Sequence, residues 1–135
     1  MPTTRADRLD IRSSDDVVKV RQQTRTLALE AGLSLVDQTK IITAASELAR
    51  NTLDYGGGGM VHIDVIEKDG RRGLRLTFED RGPGIADVAQ AMRDGFTTGS
   101  GLGLGLGGAK RLSNEFSIDS KPGAGTKVSI ARWKA

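Results

Sequence analysis

Residues 99–108 read Gly99-Ser100-Gly101-Leu102-Gly103-Leu104-Gly105-Leu106-Gly107-Gly108, with six glycines in ten positions. Glycine loses the most backbone entropy on ordering, so the run is predicted to form neither a core strand nor a stable helix. Without Cβ atoms, however, the backbone can approach a ligand closely and turn several N–H groups toward an anion. Ala109-Lys110-Arg111-Leu112 follows. That stretch suits a helix whose N-terminus would add the positive end of its dipole to those donors. The segment therefore reads as a phosphate cradle feeding a helix. A flexible linker is the competing reading, but linkers are Gly/Ser-rich and polar. Here Leu102, Leu104 and Leu106 alternate with the glycines, as expected of a segment that docks.

Around that run the chain reads as an alternation of amphipathic helices and half-buried strands. Arg8-Leu9-Asp10-Ile11-Arg12 alternates as a short first strand. Ser13-Ser14-Asp15-Asp16 supplies N-cap chemistry, and Val17, Val20, Thr24, Leu27, Ala28 and Ala31 form one helical stripe that Gly32 closes. Ser34 caps a second helix to about Tyr55, with Ile41, Ile42, Ala45, Leu48, Ala49 and Thr52 as its apolar stripe and Gly56 to Gly59 as its end. Met60–Glu67 and Leu74–Glu79 form a hairpin around Asp69-Gly70.

Ile85 to Arg93 reads as a weak helix, Asp94 to Gly107 as loop, and Gly108 to about Asn114 as a helix. Phe116–Asp119 and Thr126–Trp133 are the last strands, joined by Lys121-Pro122-Gly123-Ala124-Gly125. The order predicts one domain over residues 1–135: a two-layer α/β sandwich with a mixed, mostly antiparallel sheet and helices on one face.

Composition narrows the function classes. The chain has 135 residues, 37% hydrophobic and 27% charged, with no run as long as a membrane span. Met1 to Asp10 carries charges and no apolar core, unlike a signal peptide. No cysteine and a single histidine, His62, leave no thiolate or histidine-cluster metal site. A cytoplasmic protein without a membrane role is expected. The net charge of +3 is scattered, and aromatics are only 4%, so a stacking platform for nucleic acid is not expected.

Three elements carry candidate chemistry. Gly103, Gly105 and Gly108 satisfy Gly-x-Gly-x-x-Gly, but no hydrophobic strand precedes them as a dinucleotide fold requires. Neither a Walker Gly-Lys-Ser/Thr nor a His-Arg-Asp kinase loop occurs. Glu47 and Asn51, four apart on the second helix, are predicted to lie roughly 100–180° from the apolar stripe. An amide oxygen can ligate a hard cation while a carboxylate accepts a proton. A solvated face with Glu47 paired to Arg50 fits the same spacing. Asp80, ahead of Gly82-Pro83-Gly84, is an acceptor at a strand end where glycine lets a flat ligand approach. It suits an exocyclic amine such as adenine's, or forms an ordinary acidic turn.

In this order the elements resemble the Bergerat-fold (GHKL) ATPases, the group of gyrase, Hsp90, histidine kinases and MutL. Glu47-Leu48-Ala49-Arg50-Asn51 resembles the N box, Asp80-Arg81-Gly82-Pro83-Gly84 the first glycine box and Gly101-Leu102-Gly103-Leu104-Gly105 the second. Gly123-Ala124-Gly125-Thr126 resembles the late Gly-x-Gly-Thr. The resemblance covers about residues 8–133. It implies ATP and Mg²⁺, with Glu47 as base, Asn51 as Mg²⁺ ligand and Asp80 as adenine reader. It also implies Gly82, Gly84 and Thr126 around the base, and a lid from about Asp94 to Gly107 over the phosphates.

Ala44 to Asn51, Glu79 to Ile85, Asp94-Gly95-Phe96-Thr97-Thr98, Lys110-Arg111-Leu112, Glu115-Phe116 and Trp133 are more specifically similar to the RsbT type of serine/threonine kinase in bacterial stress signalling. The RsbW and SpoIIAB anti-sigma kinases are near cousins. The resemblance implies phosphorylation of Ser or Thr on STAS-domain proteins and exchange of partners with a PP2C-type phosphatase. A sigma factor stands as a further candidate partner. The Gly56–Gly59 run and Gly107-Gly108 depart from the family pattern away from the chemical positions.

Sigma-factor sequestration and a non-catalytic ATP-gated switch remain as alternatives, and Glu47 argues against the latter. A histidine-kinase module would need a phospho-acceptor helix pair that this chain lacks. A gyrase-like or MutL-like ATPase would need a transducer domain.

Overall fold

The computed structural model describes residues 3–85, 92 and 105–134. The elements run β1 (Thr3–Ile11), α1 (Ser14–Glu30), α2 (Leu35–Asp54), β2 (Gly59–Lys68), β3 (Arg71–Asp80), α3 (Gly105–Arg111), β4 (Glu115–Ser120) and β5 (Thr126–Trp133). The sheet has five strands in the order β1-β2-β3-β5-β4. Every pairing between them is antiparallel, so the expected mixed sheet resolves to an antiparallel one among the described residues.

Local chemistry sets most boundaries. Ser13 accepts from Asp16 N–H at 3.4 Å, and Ser34 accepts from Asp37 N–H at 3.1 Å, each satisfying a free donor of the first helical turn. Helix α1 ends with Gly32 at φ +77, Gly32 N–H on Leu29 O at 3.0 Å and Leu33 N–H on Ala28 O at 3.1 Å. That is the Schellman arrangement expected at a left-handed glycine. The β2–β3 turn puts Asp69 at φ +54 and Gly70 at φ +77, the two positive angles of a tight hairpin.

One face of the sheet packs on the helices. Val61, Ile63 and Val65 of β2 pair with Phe78, Leu76 and Leu74 of β3, and Val128 and Ile130 extend the layer on β5. They bury with Val17, Val20, Leu27 and Ala28 of α1, Ile41, Ala45, Leu48 and Ala49 of α2, and Leu106 and Ala109 of α3. The expected stripes of α1 and α2 are the ones that face the core, with Ile42 only partly buried.

One helix boundary differs from the sequence reading. Helix α3 begins at Gly105, three residues before the expected Gly108, and takes in Gly107 and Gly108. Tertiary packing outweighs the poor helix propensity of glycine here: Leu106, Gly107, Gly108 and Ala109 are all buried, and α3 lies against α2. Of the expected weak helix 85–93 only Ile85 and Met92 are described, and the lid from Asp94 through Leu104 lies outside the described residues.

Candidate functional site

The ends of α2, β3 and β5 meet around Asp80. Gly82 N–H donates to Asp80 Oδ1 at 2.9 Å. Asp80 and Thr126 are register partners on β3 and β5, and Thr126 N–H also donates to the Asp80 carboxylate. Burial raises the pKa of Asp80 above the ordinary carboxylate value, opposed by those two N–H donors. The carboxylate is thus fixed in place, half-buried at the sheet end.

Glycines wall this carboxylate for reasons of space. A Cβ on Gly56 would lie 2.4 Å from Asp80 Cγ, and one on Gly82 would lie 2.7 Å from Gly56 Cα. One on Gly125 would sit 2.2 Å from Asp80 O, and one on Gly84 only 2.0 Å from Lys121 O. Gly84 and Gly125 also have φ of +76 and +79, which L side chains rarely adopt. The Gly56–Gly59 run, a departure from the family pattern in sequence, therefore begins as part of the Asp80 wall.

Two side chains that the motif reading did not single out tie the walls together. Tyr55 Oη donates to Gly84 O at 2.9 Å, joining the end of α2 to the glycine turn. Ser120 Oγ accepts from Ile85 N–H at 2.8 Å and lies 2.8 Å from Thr126 Oγ1. Arg50, the expected partner of Glu47, instead reaches Asp54 at 3.9 Å and Ser14 Oγ at 3.2 Å. Tyr55 had a signal, one helical turn after Asn51; Ser120 had none beyond lying at the end of a strand.

Glu47 and Asn51 sit one turn apart on α2, but Glu47 is not on a solvated face. It is 3% exposed, because α2 is covered by α3 as well as by the sheet and α1. Asn51 is half-buried, and its Oδ1 is buried with no hydrogen-bond partner among the described residues. A buried, unsatisfied amide oxygen is rare and points to a group the structure does not contain. An oxygen donor beside a buried carboxylate fits a hard divalent cation whose remaining ligands come from phosphate and water. Asn51 O accepts from Gly56 N–H at 3.2 Å, so the Asn51 turn leads directly into the Asp80 wall.

A cavity of about 410 Å³ opens at this sheet end, lined by Asp80, Arg81, Ser120, Gly125 and Thr126 among others; Glu47 and Asn51 do not line it. Of the second glycine element, Gly101, Leu102, Gly103 and Leu104 lie outside the described residues, and Gly105 opens α3. No group of three or more His, Cys, Asp or Glu that could hold a metal occurs among the described residues. None of the described helices is long and apolar enough to cross a membrane.

An antiparallel sheet covered on one face by helices, with a glycine-walled carboxylate at its end, defines a two-layer α/β sandwich with an end-on pocket. Residues 36–135 match the family described as histidine kinase-, DNA gyrase B-, and HSP90-like ATPase, and the chain belongs to that family. Serine/threonine-protein kinase RsbT of Bacillus subtilis (strain 168) is 48% identical over 118 residues, 87% of this chain and 89% of RsbT. An anti-sigma F factor of Bacillus licheniformis is 34% identical over 101 residues, 70% of this chain and 68% of that protein. The solved RsbU and RsbW domains of a Mycobacterium tuberculosis protein superpose with a TM-score of 0.66 at 22% identity, over 98% of this chain and 34% of that one. The SiaB–SiaC complex from Pseudomonas aeruginosa gives 0.63 at 13% identity, over 96% and 89%. At those identities the two structures show a shared fold.

Proposed function

We propose that this chain is an ATP-dependent serine/threonine-protein kinase of bacterial partner-switching signalling. Similarity to RsbT over most of both chains supports the class. The observation that carries the chemistry is the orphaned Asn51 Oδ1, one helical turn from buried Glu47.

In this reading Asp80 accepts the exocyclic amine of adenine, with Gly82, Gly84 and Thr126 around the base. Gly101, Leu102, Gly103, Leu104 and Gly105 are the phosphate-binding residues of this reading. Asn51 would hold Mg²⁺, which when bound neutralises charge on the phosphates. Glu47 takes the proton of a Ser or Thr hydroxyl as that oxygen bonds to the γ-phosphorus and the bond to the β–γ bridging oxygen breaks. ADP leaves and the phosphate stays on the partner.

The substrate class is a STAS-domain protein, and a PP2C-type phosphatase is the alternate partner. Similarity to an anti-sigma F factor favours one second reading, in which the same kinase also sequesters a sigma factor. The experiment is capture of partners on the purified chain, followed by transfer of labelled phosphate from ATP and mapping of the modified residue. Phosphoserine or phosphothreonine on a captured STAS-domain protein is expected. ATP-dependent capture with no transfer to any partner would replace the kinase by a binding switch.

A further inference from the structure

Among the described residues four large hydrophobic side chains are exposed, and three of them flank the α1–α2 turn: Leu29 is 59% exposed, Leu35 73% and Val36 63%. Single exposed aliphatic residues are ordinary on a protein surface, whereas a group of them marks a surface with a use. Helix phase leaves them outside. Helix α1 buries Thr24, Leu27 and Ala28, and α2 buries Asp37, Gln38 and Ile41. The turn also lies at the far end of the fold from the nucleotide pocket. Leu35 opens α2, Gly56 just past its other end walls Asp80, and a helix of 20 residues is about 30 Å long.

The surroundings of the three side chains are basic. Arg25 stands one helical turn before Leu29, and Lys40 one turn after Val36. Lys134 runs along the turn itself, since a Cβ on Gly32 would lie 3.5 Å from its Nζ. Arg72 Nη1 donates to Glu30 O at 3.4 Å, at the end of α1. Two neighbouring carboxylates are already matched: Asp37 by Arg132, and Glu67 by Arg72, whose Nε is 3.7 Å away. Glu30 then stands against Arg25, Lys40 and Lys134, so the rim is positive on balance.

We propose that Leu29, Leu35 and Val36 with this rim dock a segment of a partner protein that carries aliphatic side chains among carboxylates. Burial of the aliphatic groups supplies affinity, and the rim selects the acidic segment and orients it. Charge disfavours a second copy of the chain, because a two-fold contact would bring the same positive rim against itself. A membrane-surface helix carries its apolar face along several turns. Here α2 turns polar within one turn, at Thr39 and Lys40. The surface goes beyond the kinase reading and shares no residue with the nucleotide pocket.

The test titrates the isotope-labelled chain with a synthetic amphipathic helix, leucines along one face and glutamates along the other, and follows the backbone amide shifts. Saturable shifts centred on residues 29–36 are expected, with or without ATP. Leu35→Ser combined with Val36→Ser should weaken that binding by about tenfold or more. Both side chains are largely exposed, so the double variant should keep the parent's urea midpoint. Lys134→Glu should weaken binding by about threefold, and high salt should weaken it in the parent.

No saturable shift, shifts centred elsewhere, or equal binding of the same peptide with lysines for glutamates would overturn the proposal. Shifts at residues 29–36 with phosphatidylglycerol vesicles but not with the acidic peptide would give the surface to a membrane instead. Shifts there that grow with the concentration of the chain alone would give it to a second copy. Either result overturns the assignment. Peptide binding that persists in a chain that transfers no phosphate would remove the kinase reading and leave this one in place.

Discussion

Arg132 and Asp37, far apart in sequence, form a nearly buried ion pair in which Arg132 Nε and Nη2 both lie 2.9 Å from Asp37 Oδ1. Arg132 Nη1 donates to Leu112 O at 3.0 Å. One guanidinium therefore ties the last strand to the first turn of α2 and to the residue after α3. The two side chains are 13% and 10% exposed, so removing one would leave the other charged and poorly solvated. Asp37→Ala should cost about 3–5 kcal/mol of stability in urea denaturation. Asp37→Ala combined with Arg132→Met should lose clearly less than the sum of the two single losses. Additive losses would show that the pair is not coupled.

Gly84 and Gly70 separate backbone angle from crowding. Both have positive φ, +76 and +77, but a Cβ at Gly70 meets open space while one at Gly84 meets Lys121 O at 2.0 Å. Gly70→Ala should therefore cost about 1–2 kcal/mol from the angle alone. Gly84→Ala should cost about 1–3 kcal/mol more, because a backbone oxygen cannot rotate away as a side chain can. Equal shifts in urea midpoint for the two variants would refute the crowding argument.

These examples also mark what the sequence makes legible. Gly32 and the Asp69-Gly70 turn were readable because turn chemistry is local, and Val128 and Ile130 because alternation on a half-buried strand is local too. Asp80 with its following glycines could be placed at a strand end for the same reason. Burial of Glu47 could not, since it depends on α3 covering a second face of α2. Nor could the helical state of Gly107 and Gly108, where packing overrides propensity. Contacts such as Ser120 with Ile85, 35 positions apart, and Arg132 with Asp37, 95 apart, leave no periodic trace.

Asp80 should trade stability for binding. Burial sets its folded-state pKa above the ordinary value, so the fold favours the protonated form. Its contribution to stability is then greatest below the ordinary carboxylate pKa and is lost as pH rises through the raised one. Asp80→Asn keeps an acceptor for Gly82 N–H and removes the charge. The variant should melt above the parent at pH 7, with the difference closing as pH falls below about 4. Its ATP affinity should drop by about 1.5–3 kcal/mol, the worth of a hydrogen bond to a charged group. A variant that melts lower than the parent at pH 7 would contradict the burial effect; unchanged calorimetric affinity would remove Asp80 from the adenine contact.

Glu47 and Asn51 should fail in different ways, and the difference separates a kinase from a passive binder. Phosphoryl transfer depends chiefly on positioning and charge stabilisation, so losing the base should slow it without abolishing nucleotide binding. Glu47→Gln nearly preserves the shape of a buried side chain and removes its proton acceptor. Phosphate transfer to the partner should fall by about 10²–10⁴-fold, the usual effect of losing a general base, with ATP affinity nearly unchanged. Asn51→Asp places a second carboxylate one turn from Glu47 and replaces the orphaned amide oxygen. That variant should lose the Mg²⁺-dependence of ATP binding together with turnover. The two are read side by side, by labelled transfer to the captured partner and by calorimetry with and without Mg²⁺. If Glu47→Gln transfers phosphate within about threefold of the parent, well short of that range, the base is another group. If Asn51→Asp keeps the parent's response to Mg²⁺, its amide oxygen is not the cation ligand.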